Sequence, residues 1–147
     1  MCLIAKTDKL KTATEDIRCF KRIEFIGGWY SIAFQTPFMH RSVPIDALIG
    51  NKDFVAIGDF NPIKGSDGWY YITEGVIHSY NTEAVAKLVS YSDEIVVECV
   101  IPKGTDYIEG FDNWGYPCIA SKKVRFVSFK NKWELRKMVI KTKTYSR

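Results

Sequence analysis

At 147 residues, 46% hydrophobic and 26% charged, the chain can bury one proper core without disulfide or metal staples, and it reads as a single domain. No apolar run approaches the roughly 20 residues of a membrane span, and the opening Met1-Cys-Leu-Ile-Ala is too short for a signal-peptide core. These features predict a cytoplasmic protein with no membrane partner. The net charge of +4 is uneven: Lys130, Lys132, Arg136, Lys137, Lys141, Lys143 and Arg147 against Glu134 give residues 130–147 a net +6, leaving −2 on the rest.

In chain order, residues 6–16 carry little apolar content and read as a solvated connector. Residues 17–25 alternate as a half-buried strand, with Ile17, Cys19, Ile23 and Phe25 on one face and a slip near Phe20. Gly27-Gly28 turns the chain into a second strand over residues 29–36, predicting an antiparallel hairpin. Residues 37–68 are broken by Pro37, Pro44 and Pro62 and by four glycines, so only short strands around 54–57 and 45–49 are drawn, with a turn at 64–68. Residues 69–72 lead into a strand over 75–80. Asn81 or Thr82 then caps a helix to about Tyr91, with Val85, Ala86, Leu88 and Val89 on its covered face.

The densest β-branched run, residues 95–101, predicts a central strand, ended by Pro102 and turned at Gly104. Residues 109–117 mix three aromatics with Gly, Asn, Asp and Pro, a composition suited either to a contact surface or to a loop packed on itself. Residues 123–129 read as a strand, 130–132 as a reversal and 133–140 as a returning strand. The fold class is therefore α+β, mainly antiparallel, with one helix and a basic C-terminal tail.

The motifs exclude more chemistry than they support. There is no glycine-rich phosphate loop, no Gly-x-Ser-x-Gly elbow and no His-Glu-x-x-His. The spacing of Cys2, Cys19, Cys99 and Cys118 matches neither a zinc ribbon nor a thioredoxin pair, and the four read as free thiols. Neither His40 nor His78 has a ligand partner at helical spacing, so no metal, no cofactor and no catalytic residue is expected. Asp93-Glu94 reads as a solvated pair at a turn. His78 and Tyr80 share a strand face and are candidates to clamp a nucleotide, with a structural histidine as the alternative. Four Trp, eight Tyr and nine Phe exceed the needs of a small core, making Phe111, Trp114 and Tyr116 candidates for a contact surface, or else members of packed cross-strand pairs.

Met1-Cys-Leu-Ile-Ala-Lys, the strand at 17–22, Gly75-Val-Ile-His-Ser-Tyr with its helix, and Val96-Val-Glu-Cys-Val-Ile-Pro-Lys-Gly-Thr resemble small uncharacterised proteins of bacteriophages and Bacteroides-type bacteria. Arg18 or Arg22 on a first strand, His78-Ser79-Tyr80 before a helix and Pro102-Lys103-Gly104-Thr105 at a strand end also resemble the ADP-ribosyltransferase-like fold, distantly. That second resemblance implies a nucleotide ligand near Arg18 or Arg22, His78 and Tyr80, and Glu109 and Trp114 of the aromatic loop are further candidates to bind it. It also implies a catalytic carboxylate where this chain has Ala120-Ser-Lys-Lys123, leaving Glu109, Asp112 and Glu98 as substitutes only if the loop folds inward.

The expected function is thus a non-enzymatic, anti-defence-like binding protein of phage or mobile-element type, capturing a host protein or a nucleotide signal. An NAD-dependent ADP-ribosyltransferase-type enzyme is one alternative. The other is a nucleic-acid binder acting through Lys137, Lys141 and Lys143.

Overall fold

The computed structural model describes residues 3–27, 33–37, 39–73 and 75–145, excluding the side chains of 143–145. Its largest ladder joins β3 (Ile17–Ile26) to β9 (Glu94–Ile101), in register from Ile17↔Ile101 to Glu24↔Glu94. The alternating pattern of residues 17–25 and the β-branched run at 95–101 predict these two strands, and each completes the other. Beyond β9 lie β12 (Lys123–Phe126) and the edge strand β5 (Phe54–Val55).

On the other side of β3 the order runs β8 (Ile77–Tyr80), β11 (Pro117–Ser121), β10 (Asp106–Phe111), β1 (Leu3–Ala5), β7 (Tyr70–Ile72) and β6 (Ile63–Lys64). Two short strands lie off this path: β2 (Lys11–Thr12) pairs β10, and β4 (Ala33–Gln35) pairs β3. Every pairing is antiparallel. The predicted α+β, mainly antiparallel class is therefore the observed one. Gly28 and residues 29–32 of the predicted turn and hairpin lie outside the described residues, as does Cys2.

Both sheet faces are covered, which is why the alternation in β3 blurs at Phe20 without a slip in register. Odd positions Cys19, Ile23 and Phe25 join Val97, Cys99 and Phe126 in one cluster, while Phe20 joins Tyr80, Ile108 and Ala120 in the other. The first cluster is closed by α1 (Ile45–Leu48) and α3 (Lys132–Tyr145), through Leu48, Leu135 and Val139. The second takes Ala86 of α2 (Glu83–Leu88), whose Thr82 side chain accepts a hydrogen bond from the Val85 amide.

Several expectations are corrected. Residues 133–140 are helix, not a returning strand: Asn131 Oδ1 caps the helix by accepting from the Glu134 amide at 3.0 Å, and Glu134 Oε2 accepts from the Lys130 amide at 2.8 Å. Buried Leu135 and Val139, with half-buried Met138 and Thr142, then repeat at helical spacing. Residues 45–48 are also helical, because Pro44 blocks a ladder and its carbonyl accepts from the Ala47 and Leu48 amides. In α2, Leu88 is 68% exposed, since at about 100° per residue it stands nearly opposite the buried Ala86, while Val85 and Val89 share the covered face. Within the connector, Lys11 and Thr12 form a strand. Glu94 is buried rather than solvated, because Arg22 Nη1 reaches it at 3.4 Å.

Val97 is fully buried in the central ladder. Val97→Ala is expected to cost about 2 kcal/mol, through the buried methyl groups it removes and the cavity it leaves. Urea unfolding measures it, and an unchanged midpoint would contradict the burial.

Candidate functional site

β3 serves two partners along the edge opposite β9. It pairs β8 at Phe20↔Tyr80 alone and β4 at Glu24, Phe25 and Ile26, so residues 21–23 have no ladder partner on that edge among the described strands. The sheet opens there into a cleft. Its walls come from the β4–α1 connection, from the stretch around Phe54 and Ile57, and from Gly75 to His78 at the start of β8. Its cavity volume is about 50 Å³, and it is open to solvent at its mouth.

Lys21 is central to this cleft. It lies on the apolar face of β3 between Cys19 and Ile23 and is only 7% exposed. Its Nζ donates to the His78 carbonyl at 2.8 Å, an oxygen available because the β3–β8 ladder has already parted. Burial lowers its pKa to about 8. Arg41 approaches from the facing wall, its guanidinium 4.1 Å from the Phe54 ring centroid. Among the described residues lining the cleft there is no Asp or Glu, while Pro37, Met39 and Ile57 give its mouth an apolar lip.

His78 is held as a neutral imidazole. Its Nε2–H donates to the Thr73 carbonyl at 2.8 Å, which makes Nδ1 the acceptor, and that buried atom has no protein partner. Burial depresses its pKa to about 4. Behind Lys21, Cys19 and Cys99 oppose each other with sulfurs 3.3 Å apart. The hydrogen bond from Cys99 lowers the Cys19 pKa and raises that of Cys99.

The residues singled out from sequence are distributed over the molecule. Arg18 is exposed, pairs with Glu98 and lies 5.0 Å from the Phe20 ring. Arg22 is buried on the face opposite Lys21, where Nη1 donates to the Val89 carbonyl at 2.8 Å and approaches Glu94. His78 lines the cleft. Tyr80, on the same strand face, donates to Asp112 Oδ2 at 2.8 Å.

That same carboxylate accepts from the Trp114 and Tyr116 amides, each at 2.9 Å, so residues 112–116 form a tight self-packed turn between β10 and β11. On that hairpin Trp114 is 70% exposed and Phe111 41%. Tyr116 packs partly on the core. Glu109 is exposed and pairs with Lys11 at 3.6 Å. Ser121 is fully buried, Lys122 donates to the Gly58 carbonyl at 2.7 Å, and Lys123 approaches Asp53 at 4.0 Å. Lys137 and Lys141 are exposed on α3, and the Lys143 side chain lies outside the described residues.

Sequence reasoning missed Lys21 and Arg41. The signal for Lys21 was present, as a lysine in the middle of an otherwise apolar strand face. Arg41 had none, since the sheet alone brings the β4–α1 connection against β8.

Glu24, Asp93 and Glu94 bring carboxylate oxygens within 4.8 Å of one another. Arg22 already engages Glu94, and Gln35 and His40 engage Glu24, so no ion is assigned there. In comparisons with known proteins, no family model, no curated protein and no solved structure matches the chain.

Two pH effects follow. Lys21 titrates near 8 when folded and near 10.5 when unfolded, so the unfolded chain binds more protons between those values and stability rises with pH across that window. Lys21→Met should therefore stabilise the protein near neutral pH by up to about 3 kcal/mol, the gain fading as pH rises through the window. For His78 the window runs from 6.5 down to about 4, where the unfolded chain takes up the proton first and stability is lost. His78→Gln should flatten that acid limb while its amide keeps the bond to Thr73. Urea midpoints across the pH range measure both effects.

Proposed function

We propose that the protein is a non-enzymatic binding protein that captures a small phosphate-bearing ligand of the nucleotide class in the cleft between β3 and β8. The carrying observation is Lys21: a buried cation bonded to a backbone carbonyl and facing Arg41, with no carboxylate among the described lining residues. Burying an ammonium without a counter-charge lowers stability. An anionic ligand would supply that charge when it binds. The apolar lip of Pro37, Met39 and Ile57 suits a base or another flat apolar group.

The finer reading, an ADP-ribosyltransferase-like sheet, is supported by element order. β3 carries Arg18 and Arg22, β8 ends in His78-Ser79-Tyr80 and runs into α2, and β9 ends at Pro102-Lys103-Gly104-Thr105. A binding role is favoured over transfer because Glu109 and Glu98 are ion-paired away from the cleft and Asp112 is committed to its turn. The resemblance to phage proteins makes a host nucleotide signal the natural ligand.

Calorimetry against ADP-ribose, NAD and cyclic nucleotides should show binding at micromolar concentrations for at least one, weakened tenfold or more by Lys21→Met and by Arg41→Ala. Labelled NAD should remain intact. Turnover of NAD abolished by Glu109→Gln would establish the enzyme instead. The absence of any nucleotide binding would point to a macromolecular partner.

A further inference from the structure

The helix at the C-terminal end changes which of the basic residues stand together. Buried Leu135 and Val139 fix the inward face of α3, and the exposed side chains are Lys132, Trp133, Arg136, Lys137, Ile140 and Lys141. At 3.6 residues per turn, Trp133 and Ile140 stand along the middle of that outward face, with Lys132 and Arg136 on one flank and Lys137 and Lys141 on the other. A strand would have put Lys137 and Lys141 on the same side as Trp133. The helix instead builds an apolar ridge between two cationic rows.

Among the described residues, none of these cations is ion-paired to an acid. Glu134, the helix's one acid, is used at the amino end, where it accepts from the Lys130 amide. Three acids, Glu83, Glu94 and Glu98, border the groove beside Lys141, but Glu83 pairs with Lys87, Glu94 with Arg22 and Glu98 with Arg18. Trp133 is 64% exposed, and Lys137 Nζ lies 5.5 Å from its ring centroid. An exposed indole costs hydration unless a flat partner covers it.

We propose that α3 is a binding face for single-stranded nucleic acid, in which Trp133 stacks on a base and the two rows of cations hold phosphates on either side. A single strand fits better than a duplex, because a helix set in a major groove would aim Trp133 and Ile140 at base edges, where neither can make the hydrogen bonds that read them. It fits better than a lipid surface, because two apolar residues on a face of six give little area to insert, whereas amphipathic membrane helices bring a broad apolar face. Stacking needs only one accessible ring and tolerates any base, so this face predicts affinity without sequence preference.

The test is fluorescence anisotropy of labelled oligothymidylate and oligouridylate with the full chain, at about 50 mM and about 200 mM salt. Binding should weaken with a log–log salt slope of about −3, as expected for four cations on a single strand. Lys137→Glu with Lys141→Glu should weaken it at least tenfold, and Trp133→Ala roughly tenfold. Circular dichroism should show all variants folded. No binding at low salt, or tighter binding of the matching duplex, would overturn the proposal. So would polyphosphate binding equally well with Trp133→Ala silent, which leaves charge alone, or capture by phosphatidylserine vesicles without oligonucleotide binding, which makes the face a lipid surface.

Discussion

The uninterrupted ladder between β3 and β9 is the constraint on which the rest of the molecule depends. It runs the whole length of β9 and leaves β3 longer than any strand available on its other edge. That edge is therefore divided between β8 and β4, and the sheet cannot stay closed between them. The cleft is a consequence of this mismatch in length. The same ladder buries Cys19 against Cys99 and places α2 and α3 over and beside β9, where they cover what the short neighbouring strands leave open.

Two consecutive cations on β3 are accommodated in different ways. Arg22 points to one face and is satisfied there by the Val89 carbonyl and the Glu94 carboxylate, which in turn accepts from the Tyr91 amide at 3.0 Å. This joins the end of α2 to the start of β9, and removing either ion would leave the other buried and uncompensated. Lys21 points to the opposite face, where a backbone carbonyl receives it and two thiols lie nearby, without a carboxylate. A buried cation of this second kind lowers stability, because a carbonyl dipole offsets less of its desolvation than a carboxylate would.

The hairpin from Glu109 to Pro117 makes a related point about aromatic residues. Asp112, 2% exposed, collects the Tyr80 hydroxyl and two backbone amides, so much of the polar composition of this stretch serves its own turn. Trp114 projects from a rigid mount. Composition registers the abundance of aromatics, but it does not separate rings that fill the core, such as Phe126 and Phe54, from those such as Trp114 and Trp133 that remain in solvent.

The sequence by itself determined what depends on neighbours along the chain. Period-two alternation marked β3, β-branching marked β9, Thr82 marked the start of α2, and Pro102 and Gly104, with φ of +87°, marked the end of the central strand. Local rules also contained α3, in Asn131-x-x-Glu134 and in the spacing of Leu135, Met138, Val139 and Thr142, but its β-branched and aromatic residues concealed them. Only the tertiary structure decided where the sheet parts, that Lys21 rather than Arg18 or Arg22 lines the opening, and that Arg41 meets it there. The reason is that a cleft is made by backbone edges that fail to pair, and the partner of an edge is chosen by strands far away in sequence.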